Sequence, residues 1–228
     1  MAILWPRHIL TPQDPMFALT PMSIHGPISG TNVADAIQSD GPFWRVTYGN
    51  VVVNKDIKVR VFRALAAVLD GMSTPILMPY CRKFQPIPEG AVLKGTVPHA
   101  DGTTFSDGTG YKRSGTDVRL RGDLARRTST ATVDIFAAGT LEPGQVFSFG
   151  ERLYELRKVD YVTLTRAAIK FRPPLREAVN DGESLNFDSA VCRCRLLTDT
   201  QMDLKLTLNK TAMPTVELVE DLITVSAP

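Results

Sequence analysis

The sequence predicts a mainly β protein: a discontinuous β-sandwich or split-barrel domain with one flanking helix, interrupted by an inserted small β-barrel. Three observations carry this. Short apolar segments crowd between Ala131 and Phe171, with Gly139, Pro143, Gly144 and Gly150 between them, the spacing of a small barrel. Phe171-Arg172-Pro173-Pro174 then halts a strand, since proline cannot donate to a sheet ladder, and Asn180-Asp181-Gly182-Glu183 makes a turn. Side-to-side alternation resumes at 191–197 in a texture closer to the strands before the barrel than to those within it.

The elements follow in order. Residues 1–42 carry Pro6, Pro12, Pro15, Pro21, Pro27 and Pro42 without a helical or strand period. They read as an extended arm, loose unless a neighbouring subunit holds it. Segments 43–48 and 51–53 flank Gly49-Asn50, a two-residue hairpin signal. Residues 56–69 read as a helix with Val61, Leu65, Val68, Leu69 and Met72 on one face. Asn54 or Asp56 is expected to cap it and Gly71 to stop it. A strand is expected at 76–80, and 84–116 is loop-like. Barrel strands are expected at 131–136, 146–149, 153–159, 161–165 and 167–171, then outer strands at 191–197, 202–208 and 215–219. In 202–208, Met202, Leu204, Leu206 and Leu208 oppose Asp203, Lys205 and Thr207. The predicted organisation is an arm (1–42), a discontinuous β domain (43–98 and 189–228), a connector (99–116) and the inserted barrel (117–188).

The composition, 43% hydrophobic and 22% charged over 228 residues, suffices for a buried core. A net charge of +2 weighs against a nucleic-acid binder that works by neutralising phosphates. No apolar run reaches the roughly 18–20 residues that span a bilayer, so no membrane insertion is expected. The start, MAILWPRHIL, lacks the pattern of a signal peptide. Cys192 and Cys194 share a strand face, a spacing poor for a disulfide. With Cys81 they are too sparse for zinc, so three buried free thiols in a reducing cytoplasm are expected.

The motifs favour architecture over chemistry. The stretch from His99 to Gly108 alternates Asp and Gly as calcium loops do, but lacks the closing bidentate Glu; it reads as a turn-rich connector. His8, His25 and His99 lie in proline-rich or turn segments, and no GxSxG elbow or HExxH pair accompanies them. Gly108-Thr109-Gly110 lacks the third glycine of a dinucleotide cradle. Lys112, Arg113, Arg119, Arg121, Arg126 and Arg127 form a basic strip with Asp117 and Asp123 interspersed, a solvated face or subunit contact. Trp44 reads as core and Trp5 as an interface anchor. No enzyme, metal or cofactor is expected.

Several phrases together resemble siphophage and prophage tail proteins of the distal tail protein family, or a closely related tail-tip hub component. They are GPISGTNVADAIQSDGPFWRVTY (26–48), FRALAAVLDGMSTPILMPY (62–80), PHADGTTFSDGTGY (98–111), PGQVFSFGERLYEL (143–156) and FRPPLREAVNDGESLNFD (171–188). The resemblance implies a structural virion protein of a long non-contractile tail, located at the tail tip and assembled in the host cytoplasm. Six copies would form a ring continuing the tail tube. That ring would contact the tail tube protein, the tail-tip hub protein and the tape measure protein, with DNA only in transit through the lumen.

Candidate subunit contacts are Trp5, Pro6, Ile9 and Phe17 of the arm and the Gly49-Asn50 hairpin, with Arg172 and Arg176 at the barrel rim. Two alternatives stand beside the ring. One is a host-surface carbohydrate-binding or fibre-docking module using Phe147, Phe149, Tyr154 and Tyr161. The other is a tail-associated hydrolase using carboxylates such as Glu151, Glu155 and Glu177.

Overall fold

The computed structural model describes residues 2–21, 23–28, 34–38, 41–86, 96–97, 103, 111–112 and 115–223. It is mainly β, with one α-helix among the described residues and two principal sheets, one of them a half-barrel.

The larger sheet has six strands in the order β1-β6-β14-β15-β5-β2. These are β1 (Ile3–Leu4), β2 (Pro12–Thr20), β5 (Phe43–Val51), β6 (Ile76–Pro79), β14 (Val191–Leu196) and β15 (Val216–Glu220). It therefore draws strands from both ends of the sequence, and 1–42 contributes two of them. The expectation of an arm without strand structure is corrected here. β2 pairs antiparallel with β5 from Pro12 opposite Val51 to Thr20 opposite Phe43. Pro12 and Pro15 hid the strand in the sequence, yet proline is tolerated at the first position of a strand, as Pro12, and on the free side of an edge strand, as Pro15. Beyond β2, β3 (Ser23–Ile28) and β4 (Ala34–Gln38) pair with each other.

β5 runs straight through Gly49-Asn50, which correct the predicted hairpin. Tyr48 pairs with Val216 and Val53 with Ala212, so β5 carries one more residue than its partner across this interval. The extra residue is a β-bulge, with Asn50 at φ 50°. Its Nδ2 donates to Asp14 Oδ2 at 2.7 Å, and a Cβ on Gly49 would lie 3.1 Å from Asp14 Cβ. The Gly-Asn signal marked a left-handed residue inside a strand, not a chain reversal.

Helix α1 (Asp56–Leu69) has the predicted limits but a different inner face. Phe62, Leu65 and Leu69 are buried, while Val68 and Met72 are exposed. Lys55 occupies the N-cap without a side-chain hydrogen bond, so neither Asn54 nor Asp56 caps the helix. At the other end Asp70 takes the left-handed conformation and donates its N–H to the Ala66 carbonyl. Gly71 follows at φ 62°, and a Cβ there would meet Asp199 Oδ1 at 2.4 Å. The predicted strand at 202–208 is absent. A 3-10 turn (Asp199–Met202) ends on buried Met202, and Leu206 and Leu208 face solvent.

The smaller sheet has the order β11-β12-β13-β10-β9, built from β9 (Asp117–Arg121), β10 (Thr130–Ala137), β11 (Val146–Phe149), β12 (Arg152–Thr163) and β13 (Arg166–Arg172). The two strands expected at 153–159 and 161–165 are one long strand, β12, with register shifts after Leu156 and after Tyr161. β9 lay inside the predicted basic strip. Residues 182–186 lie across the open side of the half-barrel. They bond Val118 and Leu120 of β9 at one edge and Ser148 of β11 at the other. Phe147, Phe149, Tyr154, Phe171 and Phe187 fill the interior.

Asp188 ties the two ends of this stretch together. Its carboxylate accepts from the Thr116 N–H at 2.6 Å and pairs with Arg82 at 2.8 Å. The loop expected at 84–116 includes a two-stranded ribbon, β7 (Thr96–Val97) with β8 (Tyr111–Lys112). The calcium-like stretch His99–Gly108 lies outside the described residues except for Thr103, as do His99 itself and the side chain of His25.

Candidate assembly surfaces and the charged seam

The strands of both sheets deliver a row of charged side chains to the place where the sheets meet. In β15, Val216, Leu218 and Glu220 share the inward phase, which buries the Glu220 carboxylate. In β14, Cys192 and Cys194 point into the core, and Arg193 and Arg195 take the other face. The smaller sheet adds Glu151 and Arg152 from the turn and first position of β12, then Arg176 and Glu177 beyond β13.

Every one of these charges has a partner. Arg176 donates from Nε and Nη2 to the Glu220 carboxylate at 2.9 and 3.0 Å, and Nη2 also reaches the Pro42 carbonyl. Glu220 Oε2 accepts the Trp44 N–H at 3.0 Å as well. Arg152 bonds Glu177 Oε1 and the carbonyls of Asp221 and Ile223. Arg193 joins Glu151 at 2.6 Å and Asp221 at 3.0 Å, and Arg195 forms a second ion pair with Asp221. Trp44 Nε1 donates across the seam to the Leu153 carbonyl at 2.8 Å. Arg152, Glu220 and Asp221 are buried. Charges buried this far cost several kcal/mol of desolvation each unless paired and bonded, so their pairing is what makes the seam tenable. Arg195 Nε lies near Asp221 Oδ1 at 3.0 Å but has no hydrogen bond of its own.

The electrostatics follow the contacts. Burial pushes the Asp221 carboxyl up, but hydrogen bonds from Arg193, the Ile223 N–H and Arg195 outweigh it and hold the group below its ordinary value. Burial pushes the Tyr154 phenol up to about 12, and its oxygen accepts from the Arg176 N–H. A cleft of about 340 Å³ opens beside the seam, lined by Glu151, Arg152, Tyr154, Glu177 and Arg193 among others. Glu151 and Glu177 are both bound to arginines there, and Glu155 is bound to Arg172 at 3.0 Å. Such carboxylates are positioned as fixed acceptors. No group of three or more His, Cys, Asp or Glu able to hold a metal occurs among the described residues.

The predicted contact residues divide into three groups. Trp5, Ile9 and Phe17 come together on the core of their own chain. Trp5 is 1% exposed, with Nε1 donating to the Leu10 carbonyl at 2.9 Å, and its ring meets Tyr48 edge-on at 5.3 Å. Phe17 packs edge-on against Tyr48 and Tyr80. Trp5 is thus a core residue, not a free anchor, and Pro6 beside it is half-buried. Gly49 is buried and Asn50 exposed at the bulge. Arg172 is exposed, whereas Arg176 is mostly buried in the seam.

Sequence reading missed Arg152, Arg193, Glu220 and Asp221. A signal was present: Glu220 continues the apolar phase of Val216 and Leu218, so its carboxylate had to be buried and therefore paired.

No helix among the described residues is long and apolar enough to cross a membrane. No protein-family model matches the chain, and no curated protein matches it.

Proposed function

We propose that the chain is a structural subunit of a long non-contractile phage tail, forming a hexameric ring at the distal end of the tail tube. In this reading the ring links the tail tube protein to the tail-tip hub protein and fibres and lets the tape measure protein, and later DNA, through its lumen. The observation that supports it most is the free edge of the larger sheet. β2 is a nine-residue edge strand with no strand paired beyond it among the described residues. Pro15 presents no donor, but beyond it residues 16–20 offer a template for pairing with another chain, and closing a ring removes that edge.

Two further features are in keeping with this. The charged seam ties the two sheets together through Arg176–Glu220 and Trp44–Leu153, as a load-transmitting part requires. The aromatic side chains that a sugar platform needs, Phe147, Phe149 and Tyr154, lie inside the half-barrel. Tyr161 is more open, but its hydroxyl accepts the Leu141 N–H at 2.7 Å.

The test is to image the purified full-length chain and count subunits about the axis, alone and with tail tube protein. Rings are expected, and Gln13→Lys with Met16→Lys, two exposed positions on β2, should disperse them without altering the circular dichroism spectrum. A chain that stays monomeric under both conditions sinks the reading. Intact rings from the double variant would refute the β2 edge as the joint.

A further inference from the structure

We propose that the cleft between the arm and the outer face of β12 and β13 binds a phosphate-bearing polymer that carries no bases, of the poly(glycerol phosphate) type. The cleft has a volume of about 660 Å³, with Arg157, Lys158, Lys170 and Arg172 along one wall and Leu19 and Pro42 on the other.

Three features of this wall call for an anion. Lys158 and Lys170 are direct cross-strand partners, an arrangement that destabilises a sheet because like charges face each other. Arg157 is the extra residue where the register moves from Leu156–Phe171 to Lys158–Lys170, and bulges of this kind re-aim a side chain. The counter-charges fall short. Asp160 takes Lys158 at 2.7 Å and Glu155 takes Arg172 at 3.0 Å, which leaves Arg157 and Lys170 without an ion-pair partner among the described residues. A bound oxyanion between Lys158 and Lys170 would relieve their repulsion. Arg172 lies two residues further along β13, roughly 7 Å away by strand geometry, in reach of the next phosphate of a chain.

The lining decides against nucleic acid. Among the described residues Phe171 is the one aromatic lining the cleft and is only 2% exposed, and proline and leucine make the rest of their apolar surface. A single strand needs rings on which its bases stack, and the described residues offer none here.

Calorimetric titration of the full-length chain with poly(glycerol phosphate), over a series of salt concentrations, tests this. The wild type is expected to bind. Lys158→Gln with Lys170→Gln should weaken binding by about tenfold and lower the slope of log affinity against log salt by about two. Arg157→Gln, at the exposed bulge, should weaken it in the same direction, so the result does not depend on one variant folding. Arg60→Gln with Arg63→Gln removes the same charge from the exposed side of α1 and should leave binding unchanged. The proposal is overturned if the wild type does not bind, or if the α1 variant loses as much as the cleft variant, which would signify a net-charge effect. It is also overturned if a single-stranded oligonucleotide of matched charge binds as tightly.

Discussion

Arg176 and Glu220 form a two-pronged ion pair across the junction of the sheets, with nitrogen–oxygen distances of 2.9 and 3.0 Å and the Glu220 side chain only 2% exposed. The pair also fixes the start of β5, because Glu220 accepts the Trp44 N–H and Arg176 reaches the Pro42 carbonyl.

Arg176→Ala is therefore expected to destabilise the fold by about 3–5 kcal/mol, the cost of leaving one buried charge uncompensated. Glu220→Gln keeps an acceptor for Trp44 but strands the arginine, and should fall in a similar range. Arg176→Met combined with Glu220→Leu should recover part of the loss, since an apolar pair leaves no buried charge although the Trp44 N–H loses its acceptor. Urea denaturation of the three variants checks this. A double variant no more stable than Arg176→Ala would mean that the two residues do not act as a pair.

Asp221 gives the seam its pH dependence. Its carboxyl is held below the ordinary carboxylate value, so the unfolded chain takes up the proton first. The stabilisation is fully present above the unfolded value near pH 4 and is lost as pH falls through the lower folded value. Asp221→Asn should lower stability at neutral pH and flatten the acid limb of a stability-against-pH curve. An unchanged acid limb in that variant would remove Asp221 as its source.

The three cysteines should separate by reactivity. Burial drives the Cys192 thiol well above its usual value, and Cys194 lies 3.5 Å from it in the same core. Cys81 is partly exposed, and hydrogen bonds from the Lys83 N–H and from Arg7 lower its thiol against the opposing effect of burial. Iodoacetamide under native conditions should label Cys81 first, with Cys192 and Cys194 following only on denaturation. Mass spectrometry of peptides reads the order directly, and early labelling of Cys192 would contradict its burial.

The legible parts of the fold were those written in local periodicity. The limits of α1, the strand at Ile76–Pro79 and the shared face of Cys192 and Cys194 all follow from spacing alone. What spacing could not give was non-local. β2 looked irregular because Pro12 and Pro15 break the pattern, and they are acceptable only because one opens the strand and the strand lies at a sheet edge. Residues 202–208 alternate well but have no partner strand among the described residues, and Leu208 ends fully exposed. Gly49-Asn50 satisfied a hairpin rule, yet the same left-handed preference serves a bulge equally well. The seam was hidden for a related reason. Arginines at 152, 176, 193 and 195 are ordinary surface residues until the topology sets Glu220 and Asp221 against them.

Trp5 decides how the first residues should be understood. The ring is buried against Tyr48, its Nε1 is bonded to the Leu10 carbonyl, and the Trp5 N–H bonds the Leu77 carbonyl at 2.9 Å. An arm held only by a neighbouring subunit would leave the stability of the monomer indifferent to this residue. The geometry requires the reverse. Trp5→Ala should cost about 3–5 kcal/mol through the cavity it leaves. Trp5→Phe, which keeps most of the volume but removes the donor to Leu10, should cost roughly 1–3 kcal/mol. Limited proteolysis should then cut Trp5→Ala ahead of β2, because β1 contributes only two residues to the sheet and cannot hold the segment alone. For the same reason, removing residues 2–28 would open the core instead of yielding an intact monomer. Assembly through β2 must therefore be probed at exposed edge positions such as Met16. If Trp5→Ala melts with the wild type in dilute solution, the arm belongs to a neighbour after all.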